Sequence, residues 1–381
     1  MKSSAISERL DRVMQAALDE QRVVGAVTIV SHWGEILYRR GHGYANRESG
    51  KPICEDTLFR LASLTKPIVT VATLRLVADG RLSLDDPITH WLPEFRPRLP
   101  DGCQPALSVH RLLTHTAGLS YGLMEETRST FRTRGISDGL DRVDFDLREN
   151  LRRLASVPLA FRPGAAWRYS LALDVLGAVI ECVTSLPLGD AVADLVSAPL
   201  GMNDTGFVSR SPGRFAMPYV NGSPVPSRMA ENEDVPLPKG HGTSIRLAPS
   251  RIFDARAFPS GGAGMYSSAD DMWRVLEAIR VGDFLPASLM EAMRVDHTPA
   301  GTETSGPGWG FGYGGSVLVD PNRAETPQSV GTLQWGGVYG HSWFIDSARG
   351  LTVLLMTNTA FEGLSGRLVV DVRDAVYDEL S

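Results

Sequence analysis

The two ends of this 381-residue chain carry the same elements in mirror order. Near the start, the amphipathic stretch MKSSAISERLDRVMQAALDEQ reads as a helix. It precedes VVGAVTIVSHWGEILYRRGHGYAN, two strand-like runs around a polar turn at His32 to Glu35. Near the other end, HSWFIDSARGLTVLLMTNT reads as a second hairpin, turning between Asp346 and Gly350. A helix from about Leu364 to Leu380 follows, with apolar Leu368, Val372 and Val376 four apart. The economical solution is one antiparallel sheet assembled from both termini and covered by both terminal helices. The expected class is therefore α+β. Residues 1–60 and 250–381 form an α/β sheet domain, and 61–249 form a mainly helical one.

Within that middle region, the pattern predicts helices over 66–79 and 171–184, and a Pro-rich irregular stretch over 218–242. A further helix starts near Ser268, where SSADD sets serines three residues ahead of Asp270 and Asp271 as in a capping box. A net charge of −6 and a pI near 5.8 give no attraction to nucleic acid or to an anionic membrane. No apolar run approaches the length of a membrane span, and the N-terminus lacks the apolar core of a secretory signal. Cys54, Cys103 and Cys182 have neither metal nor disulfide spacing, which fits a reducing cytoplasm. No cofactor, metal or partner protein is marked.

Two stretches match G-x-S-x-G, the turn that exposes a nucleophilic serine: GLSYG (Gly118 to Gly122) and GISDG (Gly135 to Gly139). The turn needs a buried strand before the serine and a packed helix after it. MEETRSTFRTR before Ser137 is too polar for such a strand, and DGLDRVDFDLREN after it is too acidic for such a helix. SVHRLLTHTAG before Ser120 reads as a short helix closed by Gly118. Both matches read as Gly-bounded loops. An α/β-hydrolase pairing Ser137 with His241, His297 or His341 lacks the alternating strand–helix order it requires.

A third serine has better surroundings. In FRLASLTKPIVTVATLRLVADG, Ser63 opens a helix and Lys66 follows one turn later on the same face. A helix N-terminus offers free N–H groups and a positive dipole, which suit an oxyanion. The chain has four lysines against 34 arginines, and only a lysine can give up its proton in a protein. Apolar Leu61, Leu64 and Ile68 to Val71 flank Lys66 and favour its burial. Tyr169, in FRPGAAWRYSLALDVLGAVIE, is either a proton relay for that pair or a core tyrosine bonded to backbone.

SLTK, LLTHTAGL, PG..W.YS, PLGM, GGAGMYSSADD and the Trp335-Gly336-Gly337 stretch occur in this order along the chain. Together they resemble the serine β-lactamase and penicillin-binding-protein superfamily in its class C-like branch, and within it the family VIII bacterial carboxylesterases. The resemblance covers about residues 8–378. It implies a β-lactamase/transpeptidase-like fold with the site between sheet and helical parts. It further implies Ser63 as acylated nucleophile, Lys66 and Tyr169 as proton carriers, and the N–H groups of Ser63 and Val338 as oxyanion donors.

Two departures from the superfamily pattern bear on substrate. Tyr-x-Asn is here Tyr169-Ser170-Leu171, and K-T-G is Trp335-Gly336-Gly337. Trp335 cannot hold a substrate carboxylate as the lysine does. The resemblance therefore implies a serine carboxylesterase for short, neutral acyl esters. Acyl transfer to an alcohol, or weak β-lactam or D-Ala-D-Ala peptide hydrolysis, are its alternatives. Tyr121 is placed in the site-lining loop. Trp309, Phe311 and Tyr313 either line the acyl pocket or pack in the core, and Asp174 either borders the site or faces solvent.

Overall fold

The computed structural model describes residues 2–380 apart from 127–128, 223 and 241. His241 therefore lies outside the described residues. The eight-stranded antiparallel sheet is assembled from both ends of the chain. Its order runs Trp309–Phe311, Ser316–Leu318, Leu333–Gly337, His341–Asp346, Leu351–Thr357, Gly25–His32, Glu35–Asn46 and Lys51–Pro52. The strand that joins the two ends pairs Ala26 with Thr357 and His32 with Leu351, so first and last hairpins share one ladder.

Strand alternation divides the core into two layers. Along Leu351–Thr357, Leu354 and Met356 point to the inner layer, while Leu351, Val353 and Leu355 point outward. The outer layer is closed by Lys2–Asp19 through Ile6, Leu10 and Met14, and by Arg367–Leu380 through Leu368, Val372 and Val376. The inner layer continues into the helical part, where Thr65–Ala78 is the central helix. Eleven of its residues are buried, Lys66 among them, so it is surrounded by protein on every side. It packs against Ala172–Thr184.

Four expectations needed adjusting. The last helix starts at Arg367, with a separate turn Glu362–Ser365 before it. The helix before Ser120 is only Val109–Leu113. Ser108 caps its start, Thr114 ends it by donating to the His110 carbonyl, and His115 turns to φ +53°. Gly118 serves elsewhere: at φ +85° it packs where a Cβ would lie 2.4 Å from the Phe161 carbonyl. The 218–242 stretch holds one small ladder, Tyr219–Val220 with Ser227–Arg228, and one strand of a second, Glu233–Pro236 with Ser244–Leu247 just beyond it. The second forms because Val235, Ile245 and Leu247 bury one face together. At Ser268 half of the capping box is present: its hydroxyl accepts the Asp271 N–H at 3.3 Å, but the Asp271 carboxylate turns to Asp204 and Thr205.

Candidate active site

Ser63 lies in a single 3-10 turn, Ala62–Leu64, that runs directly into the central helix. The residue before it, Ala62, has φ +46°, a left-handed conformation that costs a non-glycine residue about 1–3 kcal/mol. The surroundings hold it there. The Leu61 N–H bonds to the Met265 carbonyl at 2.9 Å, and Gly337 packs against the Leu61 carbonyl from the other side. The result aims the Ser63 hydroxyl into a cavity of about 620 Å³.

Three side chains meet there, two of them one helical turn apart and the third more than a hundred positions away. The Ser63 Oγ is 2.6 Å from the Tyr169 hydroxyl, and Lys66 Nζ is 3.2 Å from the same Oγ. Lys66 is wholly buried and also donates to the Tyr121 hydroxyl at 3.1 Å and the Gly262 carbonyl at 2.8 Å. Its Nζ lies 4.5 Å from the Tyr169 ring centre and 5.2 Å from that of Tyr121, a further attraction for the amine. Ser63 and Lys66 are thus brought together by one helical turn, whereas Tyr169 comes from the segment leading into Ala172–Thr184. Tyr169 also lies against Trp335, with ring centres 5.2 Å apart.

Trp335 lies in the strand Leu333–Gly337 and Val338 directly follows its end, beside the turn that carries Ser63. The strand Leu333–Gly337 runs against the 3-10 turn, closely enough that only glycine fits at 337. Val338 follows the last paired residue and lines the cavity, as do Trp335, Tyr121, Trp309 and Trp167. Phe311 and Tyr313 do not: both are buried core residues, and the Tyr313 hydroxyl bonds to His110 Nδ1 at 2.8 Å.

The expectation of a substrate contact at Asp174 is corrected. Asp174 is wholly buried behind the cavity wall, where Ser260 Oγ donates to it at 2.6 Å. Burial pushes its carboxyl up from the ordinary range, opposed by the Ser260 hydroxyl and by Lys66. A group so enclosed cannot touch a substrate. The expected alternative of a solvent-facing Asp174 fails for the same reason.

The two decoy serines are tied up in the fold. Ser137 is buried, with its hydroxyl donated to Asp141 and accepting the Gly139 N–H at 3.0 Å. The residues before it form a short helix, Thr130–Thr133, not a strand. Ser120 donates to Glu125 at 2.7 Å. His341 holds the Arg60 carbonyl and the Thr357 N–H, and His297 holds the Ala292 carbonyl, so neither is placed as a base for Ser137. Residue-by-residue reading missed the Gly262 carbonyl and Asp138, which lines the cavity. The stretch GGAGMYSSADD was the one signal for the first. GISDG contained the second.

The model of the family described as Beta-lactamase matches residues 10–375. The chain belongs to the β-lactamase family. Esterase EstB of Burkholderia gladioli is 62% identical over 376 residues, covering 98% of this chain and 96% of that one. Among solved structures, EstCE1, described as a hydrolase with promiscuous acyltransferase activity, superposes with a TM-score of 0.97 at 44% identity. That match covers 98% of this chain and 99% of the other. Unliganded simvastatin synthase LovD from Aspergillus terreus shares the fold, with a TM-score of 0.77 at 23% identity over 97% of each chain. The expected β-lactamase/transpeptidase-like fold is the one observed. Among the described residues, no single helix is long and apolar enough to cross a membrane.

Proposed function

We propose that this protein is a serine carboxylesterase that hydrolyses small neutral acyl esters through an acyl-enzyme on Ser63. The observation that carries the reading is the convergence of Tyr169 and Lys66 on one serine hydroxyl that opens into the cavity, at 2.6 and 3.2 Å. Ser63 Oγ attacks the ester carbonyl carbon as its proton passes into the Lys66–Tyr169 pair. The oxyanion forms against the N–H groups of Ser63 and Val338. As the tetrahedral intermediate collapses, Tyr169 returns a proton to the departing alkoxide. Water then attacks the acyl-enzyme by the reverse proton path, releasing the acid and Ser63.

The name of the 62% identical relative supports ester hydrolysis. The indole of Trp335 beside Tyr169 supports an uncharged substrate, since it offers an apolar wall and one N–H donor. Transfer of the acyl group to an alcohol is a second outcome of the same intermediate, supported by the description of EstCE1. The reading divides the chain into a sheet part, 1–60 and 250–381, and a helical part, 61–249, with Ser63 and Tyr169 contributed at their junction. A cytoplasmic setting goes with it, supported by the three free, exposed thiols Cys54, Cys103 and Cys182.

Labelling with a serine-reactive phosphonate and mapping the modified peptide tests the assignment. The adduct is expected on Ser63, and Ser63→Ala is expected to abolish both labelling and hydrolysis. An adduct on Ser120 or Ser137 overturns it.

A further inference from the structure

The two G-x-S-x-G stretches bind each other. The carboxylate of Asp138, in GISDG, accepts the backbone N–H of Gly122 through one oxygen at 2.7 Å and that of Leu123 through the other at 2.9 Å, the two residues that follow Tyr121 of GLSYG. Tyr121 is the residue whose hydroxyl accepts a hydrogen bond from Lys66. The base of this grip is fixed in turn. The Ser137 backbone exchanges hydrogen bonds with the Asn150 amide at 2.9 and 3.0 Å, and Ser137 Oγ holds Gly139. Gly139, at φ +84°, presses on Ser260, where a Cβ would come within 2.2 Å of its hydroxyl. Ser260 begins the loop that presents the Gly262 carbonyl to Lys66. Residues 137–139 thus touch both segments that supply Lys66 with acceptors other than Ser63.

We propose that Asp138 is a positioning residue for the hydrolytic site: its ionised carboxylate clasps the Gly122 and Leu123 amides and thereby holds the Tyr121 hydroxyl against Lys66. The inference rests on the Ser63–Lys66 chemistry proposed above. Ionised, the carboxylate satisfies two donors. Protonated, one oxygen becomes a donor itself and one amide loses its acceptor. Asp138 borders the cavity with protein around it, and that burial raises its carboxyl to about 7, against the pull of the two amides. The charged and titratable groups that face it are Asp141, which favours the proton, Arg132, which opposes it, and Tyr121. The clasp is therefore closed above about pH 7 and weakened below it.

Asp138→Asn tests this with little change of shape, because the amide keeps one acceptor and turns an NH₂ against the second backbone N–H. At pH 8, kcat on a butyrate ester is expected to fall about tenfold or more with KM nearly unchanged. The gap from the parent should narrow as pH falls below 7. In a Tyr121→Phe background the same substitution should cost less than about twofold, the non-additivity expected of residues that act through one contact. At fixed pH, amide hydrogen exchange at Gly122 and Leu123 should quicken in Asp138→Asn, a readout independent of substrate. Equal losses in both backgrounds, or no loss at pH 8, overturn the proposal. Should Asp138→Asn not fold, Tyr121→Phe alone decides: the decline in phosphonate labelling rate below pH 7 should flatten, and an unchanged decline overturns the clasp. A parent protein that hydrolyses no ester defeats the esterase reading, and the clasp with it. A loss confined to the variant tests leaves that reading intact.

Discussion

Replacing Gly337 with alanine should separate folding from catalysis at this site. An added Cβ would lie 2.6 Å from the Leu61 carbonyl oxygen and 3.1 Å from the Leu64 side chain. Relief to an ordinary carbon–oxygen contact of about 3.3 Å needs a withdrawal of roughly 0.7 Å. The carbonyl cannot give easily, because it already accepts the Leu64 N–H at 3.1 Å in the turn that carries Ser63. The strand must therefore move, and Val338 is its next residue. Overpacking of this kind costs about 1–3 kcal/mol of stability. A shift approaching 1 Å between reacting groups costs on the order of 10²-fold in rate, so a loss of about 10- to 100-fold in kcat/KM is expected. Steady-state kinetics on a butyrate ester, with denaturant unfolding on the same preparation, measures both. A folded Gly337→Ala protein within about twofold of the parent would refute the placement of Val338 beside the reacting carbonyl.

Other substitutions test other parts of the site. Ser120→Ala and Ser137→Ala should each stay within about tenfold of parental activity, while Ser137→Ala loses about 1–3 kcal/mol of unfolding free energy by leaving Asp141 and Gly139 without their partner; a dead but folded Ser137→Ala would contradict this. Lys66→Arg should be nearly as damaging to kcat as Lys66→Ala, since a guanidinium does not give up its proton, and a near-parental rate would show that charge alone is what the position supplies. Penicillins should be hydrolysed far more slowly than a butyrate ester, because their carboxylate would be desolvated against the Trp335 indole without a cation; comparable kcat/KM values would shift discrimination away from Trp335. Burial lowers the His341 imidazole from 6.5 to about 4, so its neutral form is the one folded. That contribution, about 3 kcal/mol, is present above pH 6.5 and lost as pH falls toward 4, because the unfolded chain takes up the proton first. The difference in unfolding free energy between the parent and His341→Gln, followed from pH 7 to 4, should shrink accordingly, and a constant difference would reject it.

Much of the fold was legible because its signals are periodic. The strand-like run around VLLM proved to be buried on both faces, Leu354 and Met356 in the inner layer and Val353 and Leu355 in the outer, while the four-residue spacing of Leu368, Val372 and Val376 marks the helix face that closes the outer layer. The ladder Glu233–Pro236 was hidden because prolines and acidic residues surround a single buried Val235. In the site, Ser63 and Lys66 were readable because one helical turn joins them. Tyr169 and Trp335 lie over a hundred positions away, and composition cannot say which tyrosine or tryptophan arrives. Backbone atoms were the least legible: the Gly262 carbonyl that receives Lys66 and the amides that Asp138 grips carry no side-chain signature. The burial of Asp174 belongs to the same class, since it depends on what Ser260 and Gly262 cover.

The failed serine motifs have a physical explanation. G-x-S-x-G encodes a tight turn in which glycines take left-handed backbone and a serine hydroxyl bonds locally. Gly118, Gly135 and Gly139 all have positive φ, and Ser137 Oγ holds the amide two residues on. A nucleophile elbow is one use of that geometry, distinguished by the strand and helix on either side. Here the same turn chemistry is spent on rigidity: it fixes Asp138 and the Ser260 loop, and through them the surroundings of Lys66. A motif that fails as chemistry can therefore still lie beside the chemistry, because a site that holds a buried amine needs rigid turns around it.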